Sequence, residues 1–576
     1  MSNLSSAKYN YDFVVATTQR SINATMLIFL SSRSEPEVTV CYVANPKGEP
    51  QAIDYQTLIN TTGAPDPFTI EDGANVQGDD RVKRLLSARF MMAFRAKLGI
   101  PPMDDLTKVP DVVVLGQDTS AVQFNMLCSE FEVVRLDPGS GYGPPSWVHQ
   151  AQPTNNPWIF SSKVDLRLSL VSPTKFKTLP KNVQDQIANL GPNAFSIQQL
   201  LFDLSNATLS TVPTITGVTP GTTTYLILEQ YFIGAYFTQM QKDGQPLLGC
   251  SVVHHPSQAP ASLTLTSMNM EISPYVDTNG QAMPYPNSDQ QDAATLSYLC
   301  ATDGNVLPPA VPFSWNWVDT SQMSDHDGVL SINRNTFANW IYHEVINDAS
   351  RCCLLPQVRC WQDGLTTWYS GTVAPNQVPT VTRPSNGNNV LQLSYSQSGS
   401  DQAGAGGALG SITMRSSYSL SISFSGNTIV ATQSLLVYVK ITEAFIHDDG
   451  NIVDKSITDT YTIGIDANGR LTSSQPVTTN TDNSIAITEG SFANFFTNMN
   501  EIAGNIKNSV DNFVATSFAD LPISTIQDFV FPGGQTFTFK EIGFSPNQDL
   551  VSEISYVDPA IPPVTVPATT LPGSAG

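Results

Sequence analysis

The 576-residue chain is short of charge: Asp, Glu, Lys and Arg make up only 14% of it. Cations are the scarcer sign, with 28 Lys and Arg against 50 Asp and Glu and a formal net charge of −22. Phosphate backbones are bound by clustered Lys and Arg, so this balance argues strongly against a nucleic-acid partner. It also repels the bulk of the chain from an anionic membrane, except where a local basic patch offsets it. Cysteine is sparse as well. The seven thiols are odd in number, widely spaced and absent after Cys360, which is not the framework of a disulfide-stapled secreted domain. Near the start, the apolar run TMLIFL is too short for a signal core or a membrane span, and no basic segment precedes it. The expectation is a soluble protein, cytoplasmic or released without a standard signal peptide.

The signatures of metal, nucleotide and covalent chemistry are also missing. His343-Glu344 opens the zinc-protease pattern H-E-x-x-H, but Asn347 occupies the fifth position, so one ligand is lost. Asp325-His326-Asp327 could hold a cation, although a polar loop is the better reading, and His254-His255 before Pro256 reads as a strand end. Cys352, Cys353 and Cys360 have no second pair at zinc-ribbon spacing, which favours buried thiols. Gly404, Gly406, Gly407 and Gly410 miss both phosphate-loop spacings, and a strand follows them where a helix N-terminus is needed. There is no G-x-S-x-G elbow. No cofactor, no metal and no enzymatic activity is expected.

What the chain does have is periodicity. Its ordinary content of aliphatic and aromatic residues, 41%, suits a folded protein with roughly three or four domains' worth of material. YDFVVATTQRSINATMLIFL, from Tyr11 to Leu30, reads as an amphipathic helix, and VTVCYVA as a strand. DDRVKRLLSARFMMAFRAKLGIPP reads as a basic helix stopped by Gly99 and two prolines. DVVVLG and FEVVRL are short strands, and Gly139–Pro157 is a loop. VDLRLSLV and ASLTLTSMNMEIS alternate as strands, while FSIQQLLFDL, TTYLILEQYFIGAYFTQMQ and NRNTFANWIYHEVIND have helical spacing. The implied divisions are 1–150 (a helix with mixed α/β material), 151–373 (helices and strands), 374–410 (a flexible Gly/Pro/Ser-rich connection), 411–556 (long strands with a long helix) and 557–576 (a disordered Pro-rich tail).

The fourth division carries the strongest pattern. SITMRSSYSLSISF and TIVATQSLLVYVKITEAFI alternate over 14 and 19 residues, with turns expected at SGN, DDGN and ANGR. Ser491–Phe518 places Phe492, Phe495, Phe496, Met499, Ile502, Ile506, Val510, Phe513, Val514 and Phe518 at three- and four-residue steps. Such a helix would span roughly 42 Å, and 14 residues of strand roughly 46 Å. Helix and sheet can therefore lie together along their length, with the twisted sheet coiling round the helix.

That pairing resembles the tubular lipid-binding (TULIP) superfamily. The opening YNYDFVVATTQRSIN is similar to the start of the forty-seven-kilodalton and Orf-X accessory proteins of clostridial toxin gene clusters. Those begin with Tyr-Gly-Trp-Asp and carry Val-Asn in a following helix. Tyr9, Tyr11, Asp12 and Ile22-Asn23 fit, while Asn10 stands in place of the glycine and Tyr11 in place of the tryptophan. Phe313–Ile341 and Phe529–Tyr556 are similar in character to segments of the same proteins. The resemblance implies an α+β fold of long, strongly curved antiparallel sheets wrapped around long amphipathic helices. It also implies an apolar groove for a lipid tail, an accessory role to a toxin or effector system, and no catalysis.

On this reading Phe495, Met499, Ile502, Ile506, Val510 and Phe513 are the groove candidates. Arg81, Lys83, Arg84, Arg89, Arg95 and Lys97, six cations in seventeen residues, are the candidates for a lipid headgroup or membrane surface. The partners expected are a lipid or other hydrophobic small molecule, a membrane surface, and a partner protein. Two other readings stand beside it: an interaction or structural protein with a filled core, and a hydrolase with an unrecognised site.

Overall fold

A computed structural model of the chain describes residues 2–31, 37–116, 121–139, 144–170, 196–202, 214–232, 247–253, 263, 265–404, 410–467, 471–486, 492–511, 529–530 and 537–556. The architecture is α+β and rich in antiparallel strands. At its centre is a six-stranded sheet in the order Leu265–Ser273, Thr295–Thr302, Phe13–Thr18, Gly328–Ile332, Leu550–Tyr556, Phe537–Phe544. The first strand of the chain therefore sits between strands from its middle, and the C-terminal hairpin closes one edge. Three of the sheet's five pairings join residues more than two hundred apart in the sequence.

Phe13–Thr18 corrects the expectation of a helix from Tyr11 to Leu30. FVVATT is rich in β-branched residues, all six are buried, and the segment pairs on both sides. The helix begins only at Gln19, where Thr18 Oγ1 accepts from the Ser21 amide at 3.2 Å as an N-cap does.

The opening motif stitches this region together. Asp12 Oδ2 accepts from the Thr302 amide at 2.7 Å and Asn305 Nδ2 at 2.9 Å, and its Oδ1 from Thr336 Oγ1 at 2.8 Å. Asn23 pairs with the backbone of Val113, donating to its carbonyl at 2.8 Å and accepting from its amide at 2.9 Å. Asn10 has φ +50°, in the left-handed region that glycine and asparagine tolerate best.

Two further sheets come from residues 37–253, joined in one of them by Phe529–Val530, which pairs with Leu247–Val253. Pro50–Ile53, Glu37–Ala44, Phe90–Leu98, Cys128–Asp137 and Ser146–Ala151 form one, and Ile159–Leu170 anchors the other. The basic segment is half helix, Asp80–Ser87, and half strand. Arg89 turns the chain at φ +58°, and Phe90, Met92, Phe94 and Ala96 then bury at period two. The loop expected at Gly139–Pro157 contains the strand Ser146–Ala151. Ser196–Phe202 is a strand rather than a helix, because it is paired on both sides and such pairing overrides local propensity. TTYLILEQYFIGAYFTQMQ is helical over Thr223–Phe232, and its remainder lies outside the described residues.

The long sheet is the largest element. Asn389–Ala403, Gly410–Ser425, Thr428–Glu443 and Ile446–Ile465 run 15, 16, 16 and 20 residues. A 16-residue strand is roughly 53 Å long. Alternate residues, among them Met414, Leu420, Ile422, Leu435, Val437 and Val439, are buried on one face.

The connection expected to be flexible at 374–410 instead contributes the strand Asn389–Ala403, paired from Asn389↔Ser423 to Ala403↔Gly410. Its Ser and Gln come from an outward face, with Leu391 and Leu393 buried behind. The turn expected at DDGN lies earlier, at Ala444-Phe445, with Ala444 at φ +51°. Asp448 and Asp449 instead pair with Ile441 and Lys440 inside the ladder. Most of the ANGR turn, and the tail 557–576, lie outside the described residues.

Two 19-residue helices belong to this sheet. The middle helix, Arg334–Cys352, packs Phe337 against Phe424 at 5.5 Å. The helix Ala493–Asp511, called here the stripe helix, spans roughly 28 Å. Together with the Leu355–Asp363 and Thr366–Ala374 hairpin, it lies against the long sheet. At the opposite end, Phe544 of the C-terminal hairpin stacks on Phe424 at 4.2 Å and 10°, which joins the long sheet to the central one.

Candidate functional site

The stripe helix buries Phe496, Met499 and Ala503, preceded by Phe492 at its N-terminal edge. Phe495, Ile502 and Ile506 are only partly buried and flank that line. Phe492 meets Tyr369 edge to face at 5.5 Å, and the Tyr369 hydroxyl donates to the Thr442 carbonyl at 3.3 Å. Gly371 makes the approach possible, since a Cβ there would lie 3.0 Å from Met414 Cε and 3.3 Å from both Met499 Sδ and Phe495 Cζ. Of the groove candidates, Phe495, Met499, Ile502 and Ile506 thus share one helix–sheet contact region. Val510 is on the last turn with its side chain outside the described residues, and Phe513 lies outside them altogether.

The helix face meets an apolar wall with a polar interruption. Lys507 Nζ lies 3.2 Å from Asp482 Oδ2, and Asp482 is in register with Lys455, which places the described end of the helix near mid-sheet. Just beyond are Tyr418, Gln433 and Asp459, all buried on the helix-covered face of the sheet. Tyr418 Oη donates to Gln433 Oε1 at 3.3 Å, whereas Gln433 Nε2 and Asp459 Oδ2 have no hydrogen-bond partner among the described residues. Unpaired polar atoms in an apolar wall are costly.

The six candidate cations do not converge. Arg81 is bound to Glu71 at 2.7 Å and to Asp79 at 2.8 Å, and this pairing holds the Asp79 carboxyl down to about 2. Lys83 pairs with Asp80 at 2.9 Å, and Lys97 lies 3.8 Å from Glu130. Arg95 lies 3.3 Å from Glu37 and 3.4 Å from Asp66, and its guanidinium stacks over Phe68 at 4.3 Å. Arg84 and Arg89 are exposed. Most of the local basic charge is therefore offset by carboxylates.

Exposed apolar residues gather elsewhere. Leu365 and Phe445 are fully exposed, and Trp368 and Ile446 are half-exposed. Leu365 caps the Leu355–Asp363 and Thr366–Ala374 hairpin, and Phe445 caps the turn after Thr428–Glu443. These tips are neighbours. A Cβ on Gly410 would strike Thr367 and Tyr369, and Gly410 pairs with Glu443, so both turns project past the same edge. Trp361 stacks on Trp368 at 6.5 Å and 16°, with Arg359 over the Trp361 ring at 5.3 Å. Sequence patterning had no signal for this, because single exposed apolar residues at turns have no period.

At the other end a cavity of about 340 Å³ opens between the C-terminal hairpin and the loop carrying Trp315 and Trp317. Its lining includes Glu541, Glu553, Phe544 and Val329. The two glutamates are opposite each other in register, and His326 Nε2 lies 2.6 Å from Glu553 Oε2. Burial, with the Glu541 charge adding to it, pushes the Glu553 carboxyl up against the opposing pull of His326.

Burial pushes the thiols of Cys41, Cys352 and Cys353 up to about 12, far from the reactive thiolate range. Asp327 accepts from Ser21 Oγ and Ser555 Oγ, each at 2.9 Å, so the Asp325-His326-Asp327 loop does not converge on one point. No group of three or more metal-ligating side chains occurs among the described residues. His254 and His255 lie outside them. No helix among the described residues is long and apolar enough to cross a membrane.

No known family model matches the chain, and no curated protein sequence matches it. Among solved structures it is similar to P47 of Clostridium botulinum E1, with a TM-score of 0.43 and 12% identity over 95% of this chain and 98% of that one. P47 from Clostridium botulinum A2 gives a TM-score of 0.43 and 9% identity, over 95% and 97%. A lipopolysaccharide binding protein gives 0.27 and 9%, over 95% and 99%. The likeness is distant, and no residue role is carried over from it.

Proposed function

We propose that the chain is a non-enzymatic binder of lipids or related amphiphiles that meets a lipid surface at its hairpin tips. The observation that carries this reading is the adjacent pair of fully exposed apolar turns, Leu365 and Phe445, at the end of the sheet where the stripe helix begins. An apolar tail drawn in there would run between that helix and the face of the sheet that it covers. Gln433 Nε2 and Asp459 Oδ2, without partners among the described residues, would receive the polar atoms of such a ligand. An accessory role to a toxin or effector system is what the sequence resemblance adds.

Burying one Leu or Phe is worth about 1.5–3 kcal/mol, so two tips give a weak and reversible attachment. Attachment of this kind resists salt, unlike adsorption through cations. The test is flotation with neutral phosphatidylcholine vesicles. The wild-type chain should float with them in low and high salt, and the double variant Leu365→Ser, Phe445→Ser should stay behind with its unfolding curve unchanged. Equal flotation of the two proteins, or none by either, would remove the tips from the account.

A further inference from the structure

We infer that the cavity between the C-terminal hairpin and the Trp315–Trp317 loop binds an organic ammonium group, a quaternary or alkylated amine of the choline type. The site is at the far end of the long sheet from the tips and uses none of their residues.

Charge points to a cation. Glu541 and Glu553 both line the cavity, and no Lys or Arg does among the described residues. Glu553 is held by Gln322 Nε2 at 3.1 Å and His326 Nε2 at 2.6 Å, while Glu541 is exposed at the rim. Two carboxylates face one another across a single strand pair, so a cation placed between them would relieve their repulsion.

The walls choose the kind of cation. A hard metal ion needs six or more oxygen ligands or their bound waters. Here the lining offers indole, phenyl and aliphatic surface from Trp315, Trp317, Phe544, Val329 and Val551, beside only a few neutral polar groups, Ser2, Asn316 and Ser545. The indoles meet nearly at right angles, 5.3 Å apart at 74°, with Phe313 edge-on to Trp317 at 4.9 Å. Their Nε1 atoms are buried without hydrogen-bond partners among the described residues, which leaves ring carbon and π surface for the cavity. Aromatic surface beside carboxylates is how weakly hydrated ammonium groups are recognised. About 340 Å³ is at the small end of ligand sites, enough for a trimethylammonium head with a short stem.

The same chemistry is presented by free choline and by a phosphatidylcholine headgroup. Tryptophan fluorescence of the full chain, titrated with choline chloride, tests the site. 3,3-Dimethylbutan-1-ol, the uncharged isostere of choline, is the shape control, and sodium chloride the ionic-strength control. A saturable change with choline, absent with both controls and weakened about tenfold by Glu541→Gln, is the expected result. Because Glu541 is exposed, that variant should fold normally. Glycerophosphocholine in a parallel titration separates the sources: tighter binding than choline assigns a lipid headgroup, and weaker binding a free amine. No saturable change, an equal response to the isostere, or indifference to Glu541→Gln would overturn the proposal.

Discussion

At the residue scale, the side chains that give the opening segment its character are fasteners. Asp12 ties the first strand to the Thr302 turn and to the middle helix, and Asn23 continues the backbone pairing at Val113. Glu271 is a different case. It is fully buried opposite Ser297, both its carboxylate oxygens lack partners among the described residues, and burial pushes its carboxyl from an ordinary 4.5 to about 8. The folded state therefore holds an extra proton between those values. Its contribution to stability is fully present below about pH 4.5, is lost as pH rises through the window, and levels off above about pH 8. The slope is up to about 1.4 kcal/mol per pH unit. Glu271→Gln keeps the shape of the protonated acid, so its advantage over wild type should grow from pH 5 to pH 8. Urea unfolding at several pH values measures this, and a constant difference would show that Glu271 carries its charge in the fold.

At the element scale, the stripe helix divides into two kinds of position. Phe496, Met499 and Ala503 fasten it to the sheet, while Phe495, Ile502 and Ile506 lie half-buried at its margin. Phe496→Ala should cost about 3–5 kcal/mol of stability, read as a shift in the denaturant midpoint. Ile502→Ser should cost much less and should weaken binding of a fluorescent fatty acid. If both positions change stability alone, the margin is ordinary core. This stripe was legible in the sequence because helical period survives whatever covers it, and the long strands were legible for the same reason. The failures share a cause. FVVATT, FMMAFRAKL and SIQQLLF have apolar residues dense enough to fit a helical period, and only their strand partners, far away in sequence, decide against it. The Ser- and Gln-rich stretch Asn389–Ala403 reads as a linker for the opposite reason. Its polarity belongs to the outward face of a strand that buries Leu391 and Leu393 on the other side. Neither the hairpin tips nor the cavity could be read at all, since each exists only where distant segments meet.

At the scale of the whole molecule, the central sheet gathers the start, middle and end of the chain, and the long sheet extends from it through the Phe424–Phe544 stack. The parts then have distinct places. Apolar turns stand at one end, the helix-covered face of the long sheet lies behind them, and the aromatic and acidic cavity sits at the junction. The proposed function requires that the helix-covered face of the long sheet take up an amphiphile. Native mass spectrometry of the purified chain, intact and then denatured, with solvent extraction of whatever is released, addresses it directly. The account predicts a stoichiometric lipid-sized adduct, present as purified or after incubation with phospholipid or fatty acid, that disappears on denaturation. A clean apoprotein that also takes up no added lipid would contradict the account and leave the stripe helix as the filled core of an interaction protein.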